Sequence, residues 1–148
     1  MVEGGFMKVL LSAILLFGSL TCLAQKQGLH GQVFWVSGNQ MPGAESILSP
    51  NQGTVREILV YELTSFKDVT QVGPFFRDVK TKMVATIVSK PDGTFKIKLP
   101  PGAYSVFTKE KNGLYANLFD DKSNINPVVV KEGQYAWKTI TIDYEAAY

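Results

Sequence analysis

The chain carries one histidine, His30, one cysteine, Cys22, and one oxygen-rich run, Asp120-Asp121-Lys122-Ser123-Asn124-Ile125-Asn126. Nucleophilic, acid–base or metal-centred chemistry would have to be assembled from these groups, and each set is incomplete. A Ser-His-Asp relay needs His30 beside a nucleophilic serine, and no Gly-x-Ser-x-Gly elbow occurs in the chain. A zinc site lacks its nitrogen and sulfur ligands. Calcium takes about six to eight oxygens, and an EF-type loop needs a ligand at its fifth position and glycine at its sixth. Counting from Asp121, Ser123 and Glu132 stand where ligands belong, but Ile125 and Asn126 occupy those two positions. The run therefore reads as a solvated loop with Asx turns, in which Asp and Asn bond their own backbone. No enzyme activity, cofactor or metal is expected.

The elements that would hold such groups are strands. Pro91-Asp92-Gly93 and Pro100-Pro101-Gly102 each combine a fixed φ with a residue free to take positive φ. Between them Phe95, Ile97 and Leu99 alternate with Thr94, Lys96 and Lys98, the period of a half-buried strand. Tyr104 and Val106 continue the alternation after the second turn, which predicts a hairpin over residues 94–107. Further strands are predicted over Gly31–Ser37, Val55–Leu63, Met83–Ser89, Leu114–Phe119, Val128–Val130 and Tyr135–Tyr144. In the last of these Ile140 and Ile142 point inward and Thr139 and Thr141 outward. Gln40–Gly53 and Asp120–Pro127 read as loops, and Thr64–Lys82 keeps no period. Seven or eight short strands without an amphipathic helix predict an all-β, antiparallel β-sandwich in one domain, residues 25–148.

The first residues read differently. Met7-Lys8, a short apolar run and Cys22-Leu23-Ala24 before Gln25 have the layout of a cleaved signal peptide over residues 1–24, too short to span a bilayer comfortably. Glu3 and two glycines precede that pattern, which points to Met7 as the true start. Lipidation of Cys22 is a second reading, with Thr21 and Ser19 where a lipobox wants a small residue and leucine. Cleavage after Ala24 would leave no cysteine in the mature chain. The product is expected in the periplasm or outside the cell, with no membrane span.

Asp92-Gly93-Thr94-Phe95, the alternating strand, Leu99-Pro100-Pro101-Gly102 and Tyr104-Ser105-Val106 resemble the carboxypeptidase regulatory-like domain. This is a transthyretin-like (prealbumin-like) seven-stranded β-sandwich of Bacteroidetes-type envelope proteins. The resemblance is strongest over Lys90–Phe107 and looser from Gly31 through Pro42-Gly43-Ala44 to the end. It implies the transthyretin-like fold and an envelope location, with no shared catalytic residues. Two enzyme classes with similar folds need groups this chain lacks. Transthyretin-like hydroxyisourate hydrolases use several histidines, an arginine and a C-terminal Tyr-Arg-Gly-Ser; intradiol dioxygenases hold iron with two tyrosines and two histidines. Here there is one histidine, and the chain ends Tyr144-Glu145-Ala146-Ala147-Tyr148.

What is left is binding. A net charge of +2, with acids interleaved among the lysines, excludes a concentrated nucleic-acid footprint. Aromatic and amide groups gather in Gly73–Arg77 and Tyr115–Asn126, which predicts a surface for an envelope protein partner carried by Phe75, Phe76, Tyr115 and Asp120. Asn117, Asn124 and Asn126 are assigned to satisfying loop backbone. The competing expectation is that Phe75 and Phe76 fold back to cap an open end of the sandwich. A glycan is the alternative ligand, stacked on Tyr115, Trp137 and Phe75.

Overall fold

The computed structural model describes residues 26–41 and 52–148. The leader with Cys22, the Met7 start and the cleavage site lie outside the described residues, as does the 42–51 part of the first loop. The described residues form two packed sheets from eleven strands: β1 (Gly28–Asn39), β2 (Gln52–Gly53), β3 (Glu57–Glu62), β4 (Thr70–Val72), β5 (Phe75–Arg77), β6 (Met83–Val88), β7 (Thr94–Lys98), β8 (Gly102–Glu110), β9 (Gly113–Tyr115), β10 (Pro127–Val130) and β11 (Tyr135–Ala147). The predicted β-sandwich is therefore present. The additional strands are short ones: β2, and β4 and β5, which form a hairpin inside the segment without a period.

The four-stranded sheet is centred on β1, with β11 on one edge and β7 and β2 end to end on the other. The seven-stranded sheet runs β4-β5-β9-β8-β3-β6, with β10 beside β9 along the same edge of β8. All ladders are antiparallel except β1–β11, which is parallel from Gly28↔Tyr135 to Asn39↔Ala147 with a bulge between Trp35 and Ser37.

The predicted 94–107 hairpin does not form. β7 pairs with β1 and β8 pairs with β3, so Pro100-Pro101 carries the chain from one sheet to the other. Pro91-Asp92-Gly93 makes the same crossing one strand earlier, since β6 pairs with β3. Proline supplies no amide hydrogen to a ladder, which suits both crossings. Gly93 sits at φ +86°, and an added Cβ would lie 2.1 Å from the Val33 carbonyl oxygen, so this turn needs glycine. The Tyr104 hydroxyl donates to the Pro100 carbonyl and braces the second crossing.

The alternating faces consequently meet across the core rather than side by side. Leu29, Val33, Phe95, Leu99, Ile140 and Ile142 from the four-stranded sheet pack on Ile58, Val60, Tyr104, Val106, Val128 and Val130. A second, smaller core lies on the other face of the seven-stranded sheet. There Phe76, Phe107, Ala116 and Ile125 are buried beneath Phe66, Val69, Tyr61 and Leu114. The segment after β9 leaves the sheet at Ala116, so the predicted 114–119 strand ends early and its chain folds over this second core.

Candidate functional site

The residues predicted to meet a partner are placed in three different environments. Phe75 is 8% exposed and lies between the sheets against Tyr115 and Tyr144, with ring centroids 6.2 and 4.9 Å away. Phe76 is 1% exposed in the second core, against Phe66 and Phe107. Tyr115 is buried as well. These three side chains present no surface to a partner or a sugar, and the binding role expected of them is corrected. Nor do the phenylalanines cap an end of the sandwich. β5 joins the edge of β9, so consecutive side chains point to opposite faces and each finds a core.

Tyr115 is tied into a polar lock. Its hydroxyl donates to Asp143 Oδ1 at 2.5 Å, Asn117 Nδ2 donates to the same oxygen at 2.9 Å and to the Thr141 carbonyl at 3.2 Å, and the Tyr148 hydroxyl donates to Oδ2 at 2.8 Å. Burial and the Asp143 bond push the Tyr115 phenol well above its ordinary range. Burial would raise the Asp143 carboxyl, but the Tyr115, Tyr148 and Asn117 donors outweigh it and hold the group below the usual carboxylate range. A protonated phenol and a saturated carboxylate provide no base; they fasten β11 to the segment after β9.

Asp120 is committed to its own loop. Its Oδ1 accepts from the Lys122 and Asn124 amides at 2.9 and 2.8 Å, and Oδ2 accepts from Asn124 Nδ2 at 2.8 Å. The Asn124 bond is the main reason its carboxyl titrates below the ordinary value. Asn126, buried at φ +39°, donates from Nδ2 to the Val106 carbonyl at 2.9 Å.

The outer face of the four-stranded sheet gathers a different set. β7 and β11 flank β1, so Lys96, His30 and Trp137 stand in one cross-strand row. The His30 and Trp137 rings meet edge-on with centroids 5.0 Å apart, and Tyr135 tilts against His30 at 6.0 Å. Lys96 Nζ lies 4.3 Å from the centre of the Tyr135 ring, a cation–π contact. Trp137 is 57% exposed and spends its indole N–H on Thr139 Oγ1 at 2.9 Å, leaving an apolar ring face to solvent.

Beside this row is a recess of about 420 Å³ lined by His30, Trp137, Lys96, Lys90, Ile87 and Val88, among others. No carboxylate lines it, so it combines apolar surface with the positive charge of Lys90, which has Asp92 nearby, and of Lys96. The alternation over Thr94–Leu99 predicts Lys96 outward, whereas for Trp137 the sequence suggests only sugar stacking and for Tyr135 nothing. Trp137 shares the parity of the outward Thr139 and Thr141, a signal that could have placed its ring on the wet face. Its place next to His30 required the register of the parallel ladder.

Among the described residues no group of His, Cys, Asp and Glu is arranged to hold a metal ion, and no helix is long and apolar enough to cross a membrane. Comparisons with protein-family models, curated proteins and solved structures find no match.

Proposed function

We propose that this chain is a non-enzymatic interaction module, exported to the cell envelope, that binds an envelope protein at the recess beside Trp137. The observation that carries the reading is an exposed indole, with its N–H already satisfied, set in a row with His30 and Lys96 at the mouth of an apolar, basic recess. Aromatic anchors ringed by polar groups are the pattern of protein interfaces. The leader supports export, and the resemblance of Lys90–Phe107 to the carboxypeptidase regulatory-like family supports an envelope location. A hydrolase would need a serine and a carboxylate around His30, whose ring neighbours are Trp137 and Tyr135.

Glycan binding is the weaker reading, because of its three expected rings only Trp137 reaches solvent. In vivo crosslinking at native expression, comparing wild type with Trp137→Ala, tests the proposal. A discrete partner recovered by the wild type and lost in the variant, at unchanged melting temperature, is the expected result. Recovery of nothing above background, or equal recovery by both chains, overturns it. Binding on a glycan array that disappears with Trp137→Ala would establish the alternative.

A further inference from the structure

We propose that the partner segment is an acidic, extended peptide that adds as a strand to the free edge of β6. This rests on the interaction-module reading and names the chemistry of what that surface receives. The Ser89 amide donates to the Arg56 carbonyl at 2.9 Å, and the register then pairs Ile58 with Ile87 and Val60 with Ala85. By the alternation of an antiparallel ladder, the backbone groups of Ile87 and Ala85 face β3 and those of Thr86 and Val88 face away. No described strand lies on that side.

The other free edges are protected by familiar devices. β2 and β4 are only two and three residues long, β10 opens on Pro127, β7 carries Lys96 and Lys98, and β11 carries Lys138, Asp143 and Glu145. β6 holds no charge and no proline from Met83 to Val88, its one register shift is confined to Val84, and Ala85–Val88 pair regularly with Glu57–Val60; Met83 and Val88 are 48% and 61% exposed. Such an edge is a template for strand addition.

Charge selects the occupant. Lys82 and Lys90 flank β6 and Lys96 stands across the recess, and among the described residues none is within ion-pair distance of a carboxylate. A second copy is disfavoured, since two-fold pairing centred on Thr86 brings Lys82 of each chain toward Lys90 of the other at both ends. An acidic strand meets both lysines with opposite charge.

The test uses the full chain and an end-capped, labelled peptide of alternating glutamate and valine, about ten residues long, read by fluorescence anisotropy. Binding is expected, with the lysine–valine counterpart weaker by about tenfold or more. Methylating alternate peptide nitrogens along one edge should abolish binding, and along the other edge should leave it intact. Lys82→Glu with Lys90→Glu should reverse the charge preference. Thr86→Pro should remove binding, and if that variant fails to fold the methylated peptides carry the test.

Absence of binding, or binding indifferent to methylation, overturns the proposal. So does concentration-dependent dimerisation lost on Thr86→Pro, which assigns the edge to a second copy. Hydrogen exchange showing the Thr86 and Val88 amides as protected as that of Ile87 in the free chain would mean the chain covers its own edge, with the same consequence. If the peptide fails while crosslinking still depends on Trp137, only the strand mode falls; if no partner is recovered at all, the interaction reading falls with it.

Discussion

Phe75 and Phe76 are adjacent in the chain and belong to different hydrophobic cores. Phe75 packs between the sheets on Tyr115 and Tyr144, while Phe76 packs on the outer face of the seven-stranded sheet with Phe66 and Phe107. Three-residue β5 thus stitches two cores together.

Each phenylalanine should therefore behave as a core residue. Phe75→Ala and Phe76→Ala are each expected to cost about 3–5 kcal/mol in denaturant unfolding. Both rings hang on one three-residue strand, so the double variant should depart from the sum of the two even though their ring partners are not shared. An unmoved midpoint in either single variant would place that ring at the surface instead.

Asn126 should report on the loop that covers the second core. Its side chain donates to the Val106 carbonyl while the Val106 amide donates to the Asn126 carbonyl at 3.3 Å. Asn126→Ala removes the first bond and places alanine at φ +39°, where asparagine is better tolerated. A loss of about 1–3 kcal/mol is expected by thermal or chemical unfolding. Asn124→Ala, whose amide holds a solvent-facing Asp120, should cost less.

Two ion pairs among the described residues should differ sharply. Arg56 Nε approaches Glu110 Oε2 at 3.1 Å with the Glu110 side chain 1% exposed; Tyr144 donates to Oε1 at 3.0 Å, and the guanidinium lies 5.3 Å over the Trp35 ring. Glu110→Gln should cost about 1–3 kcal/mol and respond weakly to salt. Lys109 meets Glu57 at 3.6 Å in the open, and Lys109→Ala should stay within about 0.5 kcal/mol.

Stability should narrow at both ends of the pH scale. Asp143 titrates below its unfolded value, so its contribution is present above that value and is lost as pH falls through the folded pKa. Asp143→Asn should flatten the acid limb of a melting-temperature profile. Tyr144 is pushed up to about 12, by burial first and then by its bond to Glu110. Its contribution is complete below the ordinary phenol range near 10 and is lost as pH rises from there to about 12. Tyr144→Phe should reduce that alkaline loss.

The local pattern of this chain was legible without coordinates. The longer strands, but not β2, β4 and β5, and which side chains of Phe95–Leu99 and Thr139–Ile142 face inward, follow from period-2 alternation, because successive Cβ atoms must leave a strand on opposite sides. The turn at Asp92-Gly93 was legible too, because Gly93 frees φ locally; Pro100-Pro101 was legible as the end of a strand, but Gly102 takes no positive φ and opens β8. Pairing was not legible. Whether β7 joins β8 or β1 depends on which apolar faces close one core, and alternation is identical in both arrangements. Only the tertiary structure put the first and last strands side by side, and so brought His30 against Trp137 across a separation that no local pattern encodes. It likewise decided that Phe75 and Phe76 are interior: a two-faced aromatic pair reads as surface until a loop is seen to cover the second face.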